Sequence, residues 1–440
     1  MKIKSFMASL TLFVVLSALT VYSQESNIDP MLAQQYFQEA ERISQKDNGE
    51  LWGVELYGPM LFADRNSREA VANRADDLGI LKPNGDVFSG QLPDEINISN
   101  TALKWAGKHW TMVAWPLPED PVRRANLIAH ELFHRIQHKV GFPANNPANA
   151  HLEKMPARIL LLLEWQALKT ALNHSGRQRQ ADVESALIFR NRRWELFPDA
   201  AKEEVELELN EGVCEYTGVK LSGRSRQEII AHLSEKIDNA QSLKSLTRSF
   251  AYTSGPVYGM LLDEGNDIKW RKTLKSQNDF GKLLQTAYEI DLPEDLQAEA
   301  EKRAAKYNGE AITKSEQQRE ADRQAKIKAL YQKFVRGPVV KIPLQMMNFS
   351  FNPNNVQPLD SLGTYYPNMR LTDTWGILTV ENGALMASTW NRVTLSAAAL
   401  SPAVSEKSII EGDGWKLELT EDWRLAPVAG TGNYLLKRTP

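Results

Sequence analysis

Apolar and polar positions divide the chain into stretches of different period. Residues 24–48 repeat at helical spacing and end in polar residues. Residues 50–118 are β-rich, with a turn at Pro83-Asn84-Gly85-Asp86. Ala102–Trp105 and His109–Trp115 flank Ala106-Gly107-Lys108, which predicts a hairpin. Leu127, Ile128, Leu132, Phe133 and Ile136 then give an apolar helical face. Asp120 suits its N-cap and Pro121 its first turn, while Gly141 and Pro143 end it after Val140. From 155 to 310 the period is helical throughout, with segments near 156–174, 181–197, 200–221, 226–239, 256–264 and 294–306. Thr313 with Glu316 reads as a capping box opening a charged helix to about Val335, stopped by Gly337 and Pro338. Residues 338–440 alternate short Val-, Thr-, Tyr- and Trp-rich runs with turns such as Glu381-Asn382-Gly383 and Glu411-Gly412-Asp413-Gly414.

These patterns predict an α+β protein. A first domain at 24–310 combines a β-rich part (50–118) with a helical part (120–310). A linking helix follows at 311–337, and then an all-β domain at 338–440. Ahead of them, Lys2 and Lys4, an apolar run from Phe6 to about Val21 and the small Ser23 predict a signal peptide over 1–23. The mature chain is then secreted or periplasmic, without a stable membrane span; an uncleaved anchor is the alternative. The single cysteine, Cys214, rules out an intrachain disulfide and points to a bacterial envelope setting. With 52 basic and 55 acidic residues the charge is nearly balanced, so nothing indicates nucleic acid or an anionic membrane.

The candidate chemistry sits in His130-Glu131-Leu132-Phe133-His134. Two histidines four apart share a helix face, about 6 Å apart along the axis. That spacing lets both imidazoles grip one Zn2+ while Glu131 reaches a water on it. A catalytic zinc needs a third protein ligand. His138 lies about 12 Å along the axis from His130, too far for one ion. Glu211 and Glu215, in Leu209-Asn210-Glu211-Gly212-Val213-Cys214-Glu215-Tyr216, share a helix face and repel unless a cation or a basic group lies between them. Glu164, inside the apolar run Leu161–Trp165, is a rival ligand, but the reading preferred for it is an ion pair with Arg190, Arg192 or Arg193. Cys214 reads as a small buried residue.

HExxH followed by NEGxxEY resembles the gluzincin zinc metallopeptidases, especially the aminopeptidase N-like branch. Phe250–Leu262 is similar to the YxxG segment that precedes an apolar helix in those enzymes. The resemblance covers residues 100–265. It implies a zincin-like fold, His130, His134 and Glu211 as zinc ligands, and Glu215 orienting a ligand. Glu131 would be the general base and Tyr252 the hydrogen-bond donor to the oxyanion. In zincins the strand before the HExxH helix lies at the sheet edge and pairs with substrate, which here would be Trp110–Trp115; an ordinary internal strand is the alternative. The chain departs from the branch in the long stretch between His134 and Glu211, expected to be a helical insertion. It also lacks a GxMxN segment, so aminopeptidase specificity is not implied. The expected activity is zinc-dependent hydrolysis of a peptide or protein substrate. The alternatives are a non-catalytic secreted or envelope binding protein with this fold, its β-domain holding an unknown partner, and hydrolysis of a non-peptide substrate.

Overall fold

The computed structural model describes residues 28–93, 95–265, 269–274, 279–351, 356–359, 362–400 and 408–439. The expected signal peptide lies outside the described residues. The protein is a mixed helix–strand molecule that divides into two compact units, one ending at Thr313 and the other spanning Lys314–Pro440. No helix of the described residues is long and apolar enough to cross a membrane.

The first unit opens with α1 (Pro30–Asp47) and a sheet of β1 (Met60–Asp64), β2 (Glu69–Ala72), β3 (Lys82–Asn84), β4 (Val87–Gln91), β5 (Thr101–Trp105) and β6 (Lys108–Trp115). Their spatial order is β3-β4-β2-β1-β6-β5. Among the described residues of this sheet, only β1 and β6 pair in parallel. Residues of alternating direction feed two cores. Phe62, Val71 and Val113 meet Phe37 of α1 and the helices that follow, whereas Leu61, Ala70, Met112 and Trp110 pack with Leu81 and Leu92 on the other face. The predicted hairpin forms as β5 and β6, turned at Ala106 and Gly107, both at positive φ. The expected sheet edge is different. β6 is internal, held between β1 and β5, and β5 ends the sheet. The parallel β1–β6 pairing is non-local, so no feature near Trp110–Trp115 announces it.

Ten helices of the first unit and its boundary follow among the described residues: α2 (Pro121–Ile136), α3 (Met155–Asn173), α4 (Gly176–Leu196), α5 (Ala200–Leu207), α6 (Val213–Leu221), α7 (Arg226–Ala240), α8 (Ser249–Asp263), α9 (Trp270–Thr273), α10 (Phe280–Ala287) and α11 (Leu296–Ala304). Asp120 caps α2 by accepting from the Arg123 amide at 2.7 Å. Two segments differ from the sequence reading. The stretch 200–221 is interrupted by a π-helical turn at Glu208–Gly212. Pro256 lies inside α8, which begins at Ser249, so the YxxG segment belongs to the helix rather than preceding it. The proline only forfeits the bond to the Tyr252 carbonyl, and burial of nearly the whole helix outweighs that loss.

The last helix, α12 (Gly309–Tyr331), runs across the divide between the units. It begins at Gly309, just after Asn308 at positive φ, so Thr313 and Glu316 fall within it and form no N-terminal capping box. The second unit also carries the strands between Val339 and Arg438. One sheet orders β17-β18-β7-β14-β13-β10-β9 and the other β15-β16-β12-β11-β8. The strands are β7 (Val339–Pro343), β8 (Asn348–Phe351), β9 (Gln357–Pro358), β10 (Thr364–Tyr366), β11 (Met369–Asp373), β12 (Gly376–Val380), β13 (Ala384–Met386), β14 (Arg392–Ser396), β15 (Ile409–Gly412), β16 (Trp415–Leu419), β17 (Trp423–Val428) and β18 (Asn433–Arg438). Val340, Ile342 and Leu395 of the first sheet share one core with Leu371, Leu378 and Leu417 of the second, which makes a sandwich.

Candidate metal centre

Helix α2 presents His130 and His134 from one face, and their Nε2 atoms stand 3.1 Å apart. Each ring is fixed from behind. His130 Nδ1 lies 2.9 Å from Glu215 Oε2, and His134 Nδ1 lies 2.9 Å from Gln137 Oε1. Gln137 donates through Nε2 to the Pro143 carbonyl and to Asn210 Oδ1, so its oxygen must face the histidine. An ionised Glu215 can only accept. Both Nδ1 atoms therefore carry the proton when the rings are neutral, and both Nε2 lone pairs point at the same spot.

Glu211 completes that spot. Its Oε2 lies 3.6 Å from His130 Nε2 and 3.3 Å from His134 Nε2. Ligand atoms at zinc bond lengths of about 2.0–2.1 Å and tetrahedral angles stand about 3.3 Å from each other. The triangle of 3.1, 3.3 and 3.6 Å therefore fits a small cation in place of the histidine protons that bond Glu211 here. The π-helical turn delivers this oxygen. An extra residue in the turn breaks the 3.6-residue period, so Glu208 faces Arg190 while Glu211 faces the histidines. Gly212 and Gly255 then let the turn touch α8. A Cβ on Gly255 would lie 2.3 Å from Gly212 Cα. Through that contact Tyr252 Oη donates to Glu211 Oε2 at 2.5 Å, and its ring stacks on His130 with centroids 5.7 Å apart.

The electrostatics follow from crowding three acids around two imidazoles. Burial alone would lower the His130 pKa, but hydrogen bonds to Glu211 and Glu215 and the Glu131 charge raise it to about 10. Burial works against ionising Glu211 and Glu215 as well. Hydrogen bonds from the histidines to Glu211, and the Lys236 and His130 contacts of Glu215, overcome it and hold both well below the usual carboxylate range. Glu131 is pushed up, chiefly by burial, although both histidines oppose this. Its Oε2 is buried without a hydrogen-bond partner, and its Oε1 lies 4.0 Å from His130 Nε2. Burial, then the Glu211 charge, raise the Tyr252 hydroxyl far above its ordinary value, so it remains a donor.

His130, His134 and Cys214 also present ligand atoms that all lie within 4.8 Å of one another, a group that could hold a metal ion. The Cys214 Sγ sits 3.3 Å from His134 Nδ1, on the ring edge that Gln137 occupies, and donates to the Asn210 carbonyl at 2.9 Å. Burial and the neighbouring acids push its thiol up, away from the thiolate that binds metal.

The site residues expected from sequence thus come together: His130, Glu131, His134, Glu211, Glu215 and Tyr252 all line or back one cleft of about 1020 Å3. Glu164 is elsewhere. It meets Arg193 at 2.7 Å and accepts from Tyr258 at 2.7 Å, in a buried cluster with Arg190, Glu204 and Glu208. Sequence reading missed Gln137, Lys236 and Arg248. Gln137 follows His134 by three residues, a spacing that could have flagged it. Arg248 reaches Glu211 Oε1 at 2.6 Å and Lys236 reaches Glu215 Oε1 at 2.5 Å, but neither carries a local signal. β5 is the strand that borders the cleft, through Thr101 and Ala102. The chain matches no protein-family model, no curated protein and no solved structure.

Proposed function

We propose that this protein is a zinc-dependent hydrolase of peptide bonds with a zincin-like catalytic unit. The observation that carries the reading is the convergence of His130 Nε2, His134 Nε2 and Glu211 Oε2 in a cleft, beside the buried Glu131 carboxylate whose Oε2 has no hydrogen-bond partner. Glu211 is the third ligand in this reading because its oxygen lies on the Nε2 side of both rings, whereas Cys214 lies on the Nδ1 side of one. Zinc bound there supplies a Lewis acid and an acidified water at neutral pH.

The remaining work belongs to the chain. Glu131 has a free carboxylate oxygen in a dry setting. It accepts a proton from the attacking water and returns it to the leaving amine. Tyr252 stays protonated, and its one O–H, which donates to Glu211 Oε2 here, would turn to the oxygen that gains charge as the carbonyl is attacked. Glu215 and Gln137 keep the imidazoles in the tautomer that leaves Nε2 free. Arg248 restrains the other oxygen of Glu211. The edge of β5 offers main-chain hydrogen bonds to an extended peptide.

The test is cleavage of denatured casein and a mixed peptide library by the zinc-loaded protein, read by mass spectrometry. The wild type should cut, and Glu131→Gln should lose about 10²–10⁴ in rate. Absence of cutting by the zinc-loaded wild type, or equal cutting by Glu131→Gln, overturns the proposal.

A further inference from the structure

The cleft continues beyond the histidines along helix α2. Arg123, Asn126, Leu127, His130 and His134 all line it and recur at three- and four-residue steps, so one stripe of the helix forms its wall. Arg123 stands seven residues before His130, about 10 Å along the axis. Arg224 lines the same cleft from the loop between α6 and α7, near enough for the Arg123 charge to act on it.

These two arginines are unusual in what they lack. Neither forms an ion pair with a carboxylate among the described residues. The side chain of Arg224 donates only to Asn126 Oδ1, at 3.2 Å, and that acceptor is neutral. Half-burial, together with the Arg123 charge, pulls the Arg224 pKa down despite Asp120, Glu215 and Glu228 nearby. Those acids are committed elsewhere. Asp120 caps α2, Glu228 closes the capping box with Ser225, and Glu215 holds His130 and Lys236. Two adjacent cations, one of them partly desolvated, in the wall of a large cleft form a prebuilt place for an anion. A guanidinium fork matches a carboxylate in particular.

We infer that Arg123 and Arg224 form a substrate subsite for a carboxylate about three residues from the scissile bond, so that this site prefers acidic peptides or a free peptide C-terminus. The spacing follows from about 10 Å along α2 divided by about 3.3 Å per residue of extended peptide. The inference rests on the peptidase reading of the same cleft. It identifies Arg123 and Arg224 as specificity-determining residues with no part in the bond-breaking step.

The test uses the full chain carrying Glu131→Gln, loaded with zinc, so that binding is read without turnover. Three fluorescein-labelled probes are titrated by anisotropy: hexa-alanine with a free C-terminus, its C-terminal amide, and the amide with one internal glutamate. The expected result is tighter binding of a carboxylate probe over the neutral amide by about tenfold to a hundredfold. Arg224→Gln should abolish that preference, and Arg123→Gln should reduce it, while binding of the neutral probe stays the same. Preference for the first probe assigns the subsite to a C-terminus, and preference for the third assigns it to an acidic side chain. Equal binding of all three, or a preference untouched by Arg224→Gln, overturns the inference. If the preference stands but the zinc-loaded wild type cuts nothing, the subsite survives and the peptidase reading fails.

Discussion

Gly255→Ala tests the contact that brings Tyr252 to Glu211. The added Cβ would stand 2.3 Å from Gly212 Cα and 2.7 Å from its carbonyl carbon and oxygen. All three are backbone atoms and cannot rotate away. Restoring ordinary contact needs a separation of about 1 Å between α8 and the π-helical turn. Tyr252 Oη and Glu211 Oε2, now 2.5 Å apart, would then stand near the limit of hydrogen bonding. Overpacking of this kind costs about 1–3 kcal/mol, and a weakened hydrogen bond to a charged oxygen adds about 1–2. A loss of about 2–5 kcal/mol in unfolding free energy is expected by urea denaturation. Because Glu211 adjoins Gly212, zinc affinity should fall by about tenfold to a hundredfold in competition titrations. An unfolding free energy within about 0.5 kcal/mol of wild type, with unchanged zinc affinity, would refute the close-approach argument.

Tyr252→Phe keeps the ring and removes the donor; it should retain zinc and lose about 10²–10³ in kcat, and full activity would remove the hydroxyl from the mechanism. Glu211→Ala should lose zinc. Glu164→Ala should keep it but unfold more easily by about 3–5 kcal/mol, because Arg193 would remain buried without one of its partners; the reverse pattern would exchange the roles of the two acids. Zinc must displace the His130 proton, which is held with a pKa of about 10, so affinity should weaken about tenfold for each unit of pH lost between 8 and 6; a pH-independent affinity contradicts this. In metal-free protein the signs oppose each other. The raised His130 pKa contributes stability below pH 6.5 that is lost as pH rises through 10. The lowered Glu211 and Glu215 values contribute stability above pH 4.5 that is lost on further acidification. Tm after chelation should therefore peak between pH 4.5 and 6.5, and a steady rise toward pH 9 would contradict the assignment.

Local signals were readable wherever the cause was local. Asp120 and Pro121 fix the start of α2 through a cap and a preset φ, and the Ala106-Gly107 turn fixes the β5–β6 hairpin. Glu211 could be singled out because it sits four residues from Glu215 beside a recognisable triplet. The sheet edge was not readable, because it depends on β1 choosing β6 from far along the chain. Nor was the π-helical turn, which is stabilised by Glu208 reaching Arg190 and by Gly212 meeting Gly255. The start of α8 was obscured by Pro256, a helix-breaking residue in isolation that a fully packed helix tolerates. Arg248 and Lys236 reach the acids from separate elements, so only the assembled fold connects them.

The central claim is a single metal held by His130, His134 and Glu211 with Glu131 outside the ligand set. Elemental analysis of the purified full-length protein and two variants tests it most directly. One zinc per chain in the wild type and in Glu131→Gln, with none in His134→Ala, is the predicted result. A wild type that binds no zinc after reconstitution, or His134→Ala that binds it fully, contradicts the account.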